Sequence, residues 1–173
     1  MEKVMRTLSL GIAVFLMSVI AYGVTTARMN DLRNKETNPD YMSAEEVEKN
    51  LNCLALNVYR EAGHEPFEGK VAVAQVTLNR VESGKFPKEV CAVVYQKVRL
   101  VCQFSWYCDA KHRNRPVDGE AYDESYRVAK MVFLEGFRLE SIEKALYYHA
   151  DYVNPNWRLK RITKIGNHIF YEG

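Results

Sequence analysis

The sequence predicts an α+β fold: a mainly helical domain with a small β-hairpin region at its C-terminal end, preceded by one apolar N-terminal segment. Three observations carry this. Residues 43–135 repeat apolar positions at steps of three and four between helix start and stop signals. Residues 145–171 change to short aromatic and β-branched runs around turn signals. Residues 7–27 contain no charged side chain.

That uncharged run is preceded by Lys3 and Arg6 and closed by Arg28. Its length suits a helix crossing a bilayer, which takes roughly 20 residues. Its basic start, apolar centre and small residues near Ala27 also suit a secretory signal. Gly11, Ala13, Ser18, Ala21, Gly23, Thr25 and Thr26 dilute its hydrophobicity, so as an anchor it is weak. Residues 1–27 are therefore expected to be a signal peptide or signal anchor, and to make the membrane a partner. Residues 28–42 are polar, contain Pro39 and are expected to be a linker. Residues 43–173 are the exported domain.

Length and charge set further bounds. A chain of 173 residues suits one domain with a real core. A net charge of +2 offers no clustered basic face, so no nucleic-acid partner is expected. The chain is read as a monomer without a cofactor. Cys53, Cys91, Cys102 and Cys108 all follow the apolar run, and an even count in an exported domain favours disulfides. Four cysteines allow three pairings, which the sequence does not choose among. No C-x-x-C pair is present, so no metal is expected.

Ser43-Ala44-Glu45-Glu46 is a capping box that starts a helix. Ala44, Val47, Leu51, Leu54 and Val58 then form one apolar face, and the next position in that series is Glu61. A carboxylate thus stands where the pattern wants an apolar residue, just before Gly63 and Pro66 stop the helix. Burial and the negative end of the helix dipole both disfavour its charged form and raise its pKa, as a general acid near neutrality requires. A structural Glu61 paired with Arg60, Arg80 or a backbone amide is the alternative.

Residues 69–82 are apolar all round, which predicts a central helix, with a buried strand as competitor. Gln75 and Asn79, one turn apart in it, are candidate interior hydrogen-bond partners for Glu61 or for a substrate amide. Pro87 suits the first turn of a helix reaching about Lys97. Cys102 through Asp109 is an aromatic segment between two cysteines, read as a loop whose Phe104, Trp106 or Tyr107 walls a groove, with Gln103 or Ser105 hydrogen-bonding a sugar. Lys111–Pro116 is a polar loop, and Asp118 caps a helix that runs to about Glu135 before Gly136. Ala145–His149 reads as a strand, Asn154–Asn156 as a turn, and Arg161–Tyr171 as a hairpin around Gly166-Asn167.

Several reaction plans fall away. His64-Glu65 lacks the second His of H-E-x-x-H, and neither G-x-S-x-G, a P-loop nor a dinucleotide fingerprint is present. An acid in an aromatic-walled cleft points to glycan cleavage. Most glycosidases use two carboxylates, about 5–5.5 Å apart for retention or about 6.5–9.5 Å for inversion. Glu65, Glu68 and Asp109 are candidates for a second one.

Tyr59-Arg60-Glu61-Ala62-Gly63-His64-Glu65-Pro66-Phe67-Glu68-Gly69-Lys70 through Ala74, ending in Leu78-Asn79-Arg80-Val81, resembles the opening block of the spore-cortex-lytic, SleB-type cell-wall hydrolases. Val90-Cys91-Ala92-Val93-Val94-Tyr95-Gln96, then Gln103-Phe104-Ser105-Trp106, then Tyr148-His149-Ala150 through Ile165-Gly166-Asn167-His168-Ile169-Phe170-Tyr171 resemble later blocks in order. The resemblance covers roughly residues 51–171. It implies a lysozyme-like, lytic-transglycosylase-like fold and peptidoglycan as partner and substrate. It also implies that Glu61 is the sole acid/base of a reaction ending in a 1,6-anhydro sugar. Tyr59, Gln75, Gln103, Phe104, Ser105, Trp106 and Tyr148 are the expected substrate-binding residues. A hydrolase with Glu65 or Glu68 as second carboxylate is the alternative, and a tethered glycan-binding module without catalysis another. Gly63-His64 departs from the Arg-Gly of the family's E-A-R-G-E block. The anchor-like start also resembles phage endolysins tethered in the inner membrane and later released, beside a bacterial envelope-remodelling enzyme. Pairs such as Cys53 with Cys102, or Cys91 with Cys108, would then close only after export to the periplasm or envelope.

Overall fold

The structure, a computed structural model, describes residues 17–29 and 42–173. The expectations for residues 1–16 and 30–41, covering the start of the export segment and most of the linker, lie outside the described residues. The chain divides into two units, Met1–Glu45 and Glu46–Gly173. In the first, residues 17–29 form helix α1, where the Thr25 and Thr26 hydroxyls donate to the carbonyls of Ala21 and Tyr22. Among the described residues, no helix is long and apolar enough to cross a membrane.

The second unit opens within α2 (Ala44–Ala62). The three-and-four spacing does what it predicts: Leu51, Leu54 and Val58 are buried on one face. The helix stops where Gly63 turns the chain. A Cβ at that position would lie 2.5 Å from the Tyr59 carbonyl oxygen, which the Gly63 amide meets as a hydrogen-bond partner.

Helix α3 (Phe67–Glu82) follows Pro66 and is buried continuously from Gly69 to Arg80, as all-round hydrophobicity predicts. It packs on α4 (Val90–Val94) and α7 (Gly119–Phe133), and also on β3 (Ala145–Ala150) and β4 (Arg161–Ile165). Its polar residues hold the chain that leads into the sheet. Gln75 exchanges two hydrogen bonds with the Leu139 backbone, Asn79 donates to the Ile142 and Ala145 carbonyls, and Arg80 Nε donates to the Leu146 carbonyl. The C-terminal sheet is antiparallel in the order β3-β5-β4, with β5 spanning His168–Glu172. The larger core cluster lies among the helices, and a smaller one of Ala72, Val76, Ile142, Ala145 and Phe170 lies between α3 and the sheet.

Three expectations need correction. The helix expected from Pro87 to about Lys97 spans only α4, Val90–Val94, and the chain then enters a hairpin of β1 (Lys97–Val98) and β2 (Val101–Cys102). The segments read as loops contain two helical turns, α5 (Ser105–Cys108) and α6 (Ala110–Arg113); Asp109 caps α6 by accepting from the Lys111 and His112 amides. The disulfides are Cys53–Cys91 and Cys102–Cys108, not Cys53–Cys102 or Cys91–Cys108. The fold brings the first pair's Cα atoms to 5.2 Å and the second pair's to 5.7 Å, within bridging reach.

Candidate active site

Glu61 lies in the last turn of α2, partly buried, where two cavities meet. One, of about 610 Å³, is polar, with Tyr59, His64, Arg115 and Asp118 on its walls. The other, of about 660 Å³, runs under Tyr148, His149, Tyr152 and Trp157. Both are also lined by Arg60 and His112, so Glu61 stands at the middle of one continuous groove.

The Tyr148 hydroxyl donates to Glu61 Oε2 at 3.2 Å. Loss of hydration pushes the Glu61 carboxyl up to about 7, against the opposing pull of that hydrogen bond and of the Arg80 charge. Arg80 is itself buried, and burial holds its pKa below the ordinary arginine value. Its guanidinium lies 4.9 Å from the Phe104 ring centroid and 5.2 Å from that of Phe86. Burial raises Tyr148 well above the usual phenol value, and the nearby Glu61 charge adds to this, so Tyr148 stays a donor at neutral pH. The site thus holds a carboxyl that is protonated part of the time near neutrality, with a fixed phenol beside it.

The other predicted site residues divide into those that reach the groove and those that do not. Tyr59 lines the polar half, its hydroxyl accepting from the Asp118 amide at the start of α7. Gln103 and Ser105 line the aromatic half. Gln75 does not reach the groove: it is 1% exposed, and its amide is occupied by the Leu139 backbone. Phe104 and Trp106, 2% and 5% exposed, form the floor rather than a stacking wall. Trp106 is turned inward because its indole N–H donates to Asn57, which in turn donates to Thr77.

Two of the three candidate second carboxylates have other partners, and the third lies outside the groove. Both Glu65 oxygens accept from Asn167, one from its backbone amide and one from its side chain. Glu68 is exposed in the first turn of α3 and lines neither half of the groove. Asp109 borders the aromatic half while capping α6 and bonding His112 Nδ1 at 2.7 Å; those contacts hold it below the usual carboxylate range. Among the described residues, no three His, Cys, Asp or Glu side chains converge to hold a metal ion.

Sequence reasoning missed the exposed aromatic wall. Tyr152 is 86% and Trp157 42% exposed, and Trp157 packs edge-on against Tyr147, His149 and Tyr171. The available signal was the pair of aromatics flanking the Asn154-Pro155-Asn156 turn, large apolar rings in a segment too polar to be core. Also missed was His168, buried beneath Tyr148.

The sequence is 32% identical to the spore cortex-lytic enzyme of Bacillus subtilis (strain 168) over 130 residues, 70% of this chain and 37% of that protein. It is 32% identical to the spore cortex-lytic enzyme of Bacillus cereus over 153 residues, 86% of this chain and 52% of that one. The chain thus spans between about a third and a half of the length of these curated relatives. Among solved structures, it is similar to the catalytic domain of the Bacillus cereus SleB protein, with a TM-score of 0.56 and 29% identity, covering 78% of this chain and 94% of that one. It is equally similar to the catalytic domain of the germination-specific lytic transglycosylase SleB from Bacillus anthracis, with a TM-score of 0.56 and 30% identity, covering 78% of this chain and 99% of that one. The family profile described as Cell Wall Hydrolase matches residues 64–171, from just past Glu61 through β5. That match takes in more than half of the sequence, and the chain belongs to the cell wall hydrolase family.

Proposed function

We propose that the domain cleaves the glycan strands of peptidoglycan, between the muramoyl and glucosamine sugars, as a lytic transglycosylase with Glu61 as its one acid/base. Glu61 first gives its proton to the glycosidic oxygen as the C1–O bond breaks. The muramoyl C6 hydroxyl then bonds to C1, and its proton returns to Glu61. The products are a 1,6-anhydromuramoyl end and a free glucosamine hydroxyl, with no water consumed and the carboxyl restored.

One observation carries the reading: a carboxyl raised to about 7 at the junction of two groove halves. It is supported by the engagement of two candidate second carboxylates elsewhere, Glu65 with Asn167 and Asp109 with His112. The similarity to a lytic transglycosylase and to spore cortex-lytic enzymes agrees with it. Residues 1–27 complete the proposal as a signal or anchor that delivers the domain across a membrane to the envelope, in a bacterium or a phage-infected host.

Glu61→Gln is expected to fold normally, bind purified sacculi and release no muropeptides; an active variant overturns the reading. Mass spectrometry of the wild-type digest is expected to show anhydromuramoyl ends. Reducing ends would instead favour a two-carboxylate hydrolase, and binding without any release a glycan-binding module.

A further inference from the structure

The aromatic half of the groove contains a titratable residue that the reaction above does not use. His168, the first residue of β5, is 6% exposed and lines that half. Its ring meets Tyr148 edge-on at 5.0 Å and Phe170 at 6.4 Å, so it sits one ring away from the Tyr148–Glu61 pair. Nδ1 is buried without a hydrogen-bond partner. Nε2 also has no partner among the described residues but, unlike Nδ1, is not sealed from solvent.

These facts fix the form of the ring. An orphaned buried N–H costs more than an orphaned lone pair, so the proton belongs on Nε2. Burial lowers the imidazole pKa and keeps it neutral near pH 7, although the charges of Glu65 and Asp151 pull the other way; His149 adds to the lowering. The groove therefore receives one N–H donor and no acceptor from this ring. The same half of the groove also offers apolar surface, from Val153, Pro155, Ala150 and the Tyr148 ring, among its polar walls. A hydroxyl would want an acceptor as well as a donor. An acetamido group offers one carbonyl acceptor and one methyl, which matches a lone donor with apolar side chains in the same half of the groove.

We propose that His168 determines specificity by donating from Nε2 to the acetamido carbonyl of the sugar held in the aromatic half, next to the scissile bond. The proposal rests on the glycan-cleaving reading above and names the substrate feature which that half selects. A site built to meet one polar group discriminates strongly against an analogue lacking it, because the donor is then left buried and unpaired.

The test compares purified sacculi with the same sacculi chemically de-N-acetylated, using the full chain. Wild type is expected to favour the acetylated substrate by tenfold or more in kcat/KM. His168→Phe is expected to lose about tenfold on acetylated sacculi, little on de-N-acetylated ones, and so most of the preference. His168→Gln retains a donor and is expected to recover part of it; this variant also serves if the phenylalanine variant does not fold. An unchanged preference in both variants, or equal losses on both substrates, overturns the assignment. Glu61→Gln in parallel separates the two ideas. Inactivity there with an unaltered His168→Phe removes only the specificity role, whereas an active Glu61→Gln removes the reaction itself.

Discussion

At the scale of the residue, the site depends on how far Glu61 is kept from water. Its raised pKa has burial as the main cause, and the Tyr148 hydrogen bond is the larger of two forces pulling it back down. The first step of the proposed reaction needs the protonated acid, so activity on solubilised glycan strands should fall as pH rises through about 7. Tyr148→Phe keeps the ring but removes the donor that favours the carboxylate. Its alkaline limb is therefore expected to move to higher pH, while kcat falls roughly tenfold because the carboxyl is no longer held in place. A pH–rate profile measures both, and a limb that moves down contradicts this account of the site. Glu61 was visible in the sequence because one position broke an otherwise apolar series. Tyr148 was visible only as a groove residue. Its pairing with Glu61 joins positions 87 apart in the chain, and no local pattern encodes that distance.

At the scale of the element, the groove depends on how the end of α2 meets the β4–β5 turn. Glu65 lies between them, taking both hydrogen bonds from Asn167. Gly166, at φ +55°, lets the turn approach so closely that any Cβ there would collide with the Glu65 carboxylate. Gly166→Ala should therefore cost about 2 kcal/mol in denaturant unfolding, combining left-handed strain with displacement of the clasp. Gly84 is also at positive φ but has open space where its Cβ would stand, so Gly84→Ala should cost only about 1 kcal/mol. Equal costs would mean that the clasp adds nothing. The elements themselves were readable wherever periodicity was long: α2, α3 and α7 each follow a sustained pattern with stop signals. The Gly166-Asn167 turn was equally plain. The β1–β2 hairpin and the single turns α5 and α6 were not, because elements of two to four residues carry no period and are held by a disulfide and an Asp109 cap. Gln75 lies outside the groove, and Phe104 and Trp106 line it only as floor, for a related reason. Residue type suggested polar or aromatic contact, but burial assigned those contacts to the protein's own backbone and core.

At the scale of the whole molecule, two covalent links of unequal reach brace the domain. Cys53–Cys91 closes 38 residues and ties α2 to α4, whereas Cys102–Cys108 closes only 6 beside the groove. Loop-closure entropy assigns about 4 kcal/mol to the first and about 2 kcal/mol to the second. The double variant Cys53→Ala/Cys91→Ala should accordingly lower the thermal midpoint more than Cys102→Ala/Cys108→Ala, with scanning calorimetry as the measurement. The opposite order would show that native packing, rather than chain closure, governs their effect. The layout has one more result. Glu61 is translated early, yet Tyr148, the Asn167 clasp and the aromatic side of the groove all come from residues 145–172. A polypeptide lacking residues 145–172 therefore keeps Glu61 and the polar half of the groove but loses the phenol beside the acid and the aromatic half.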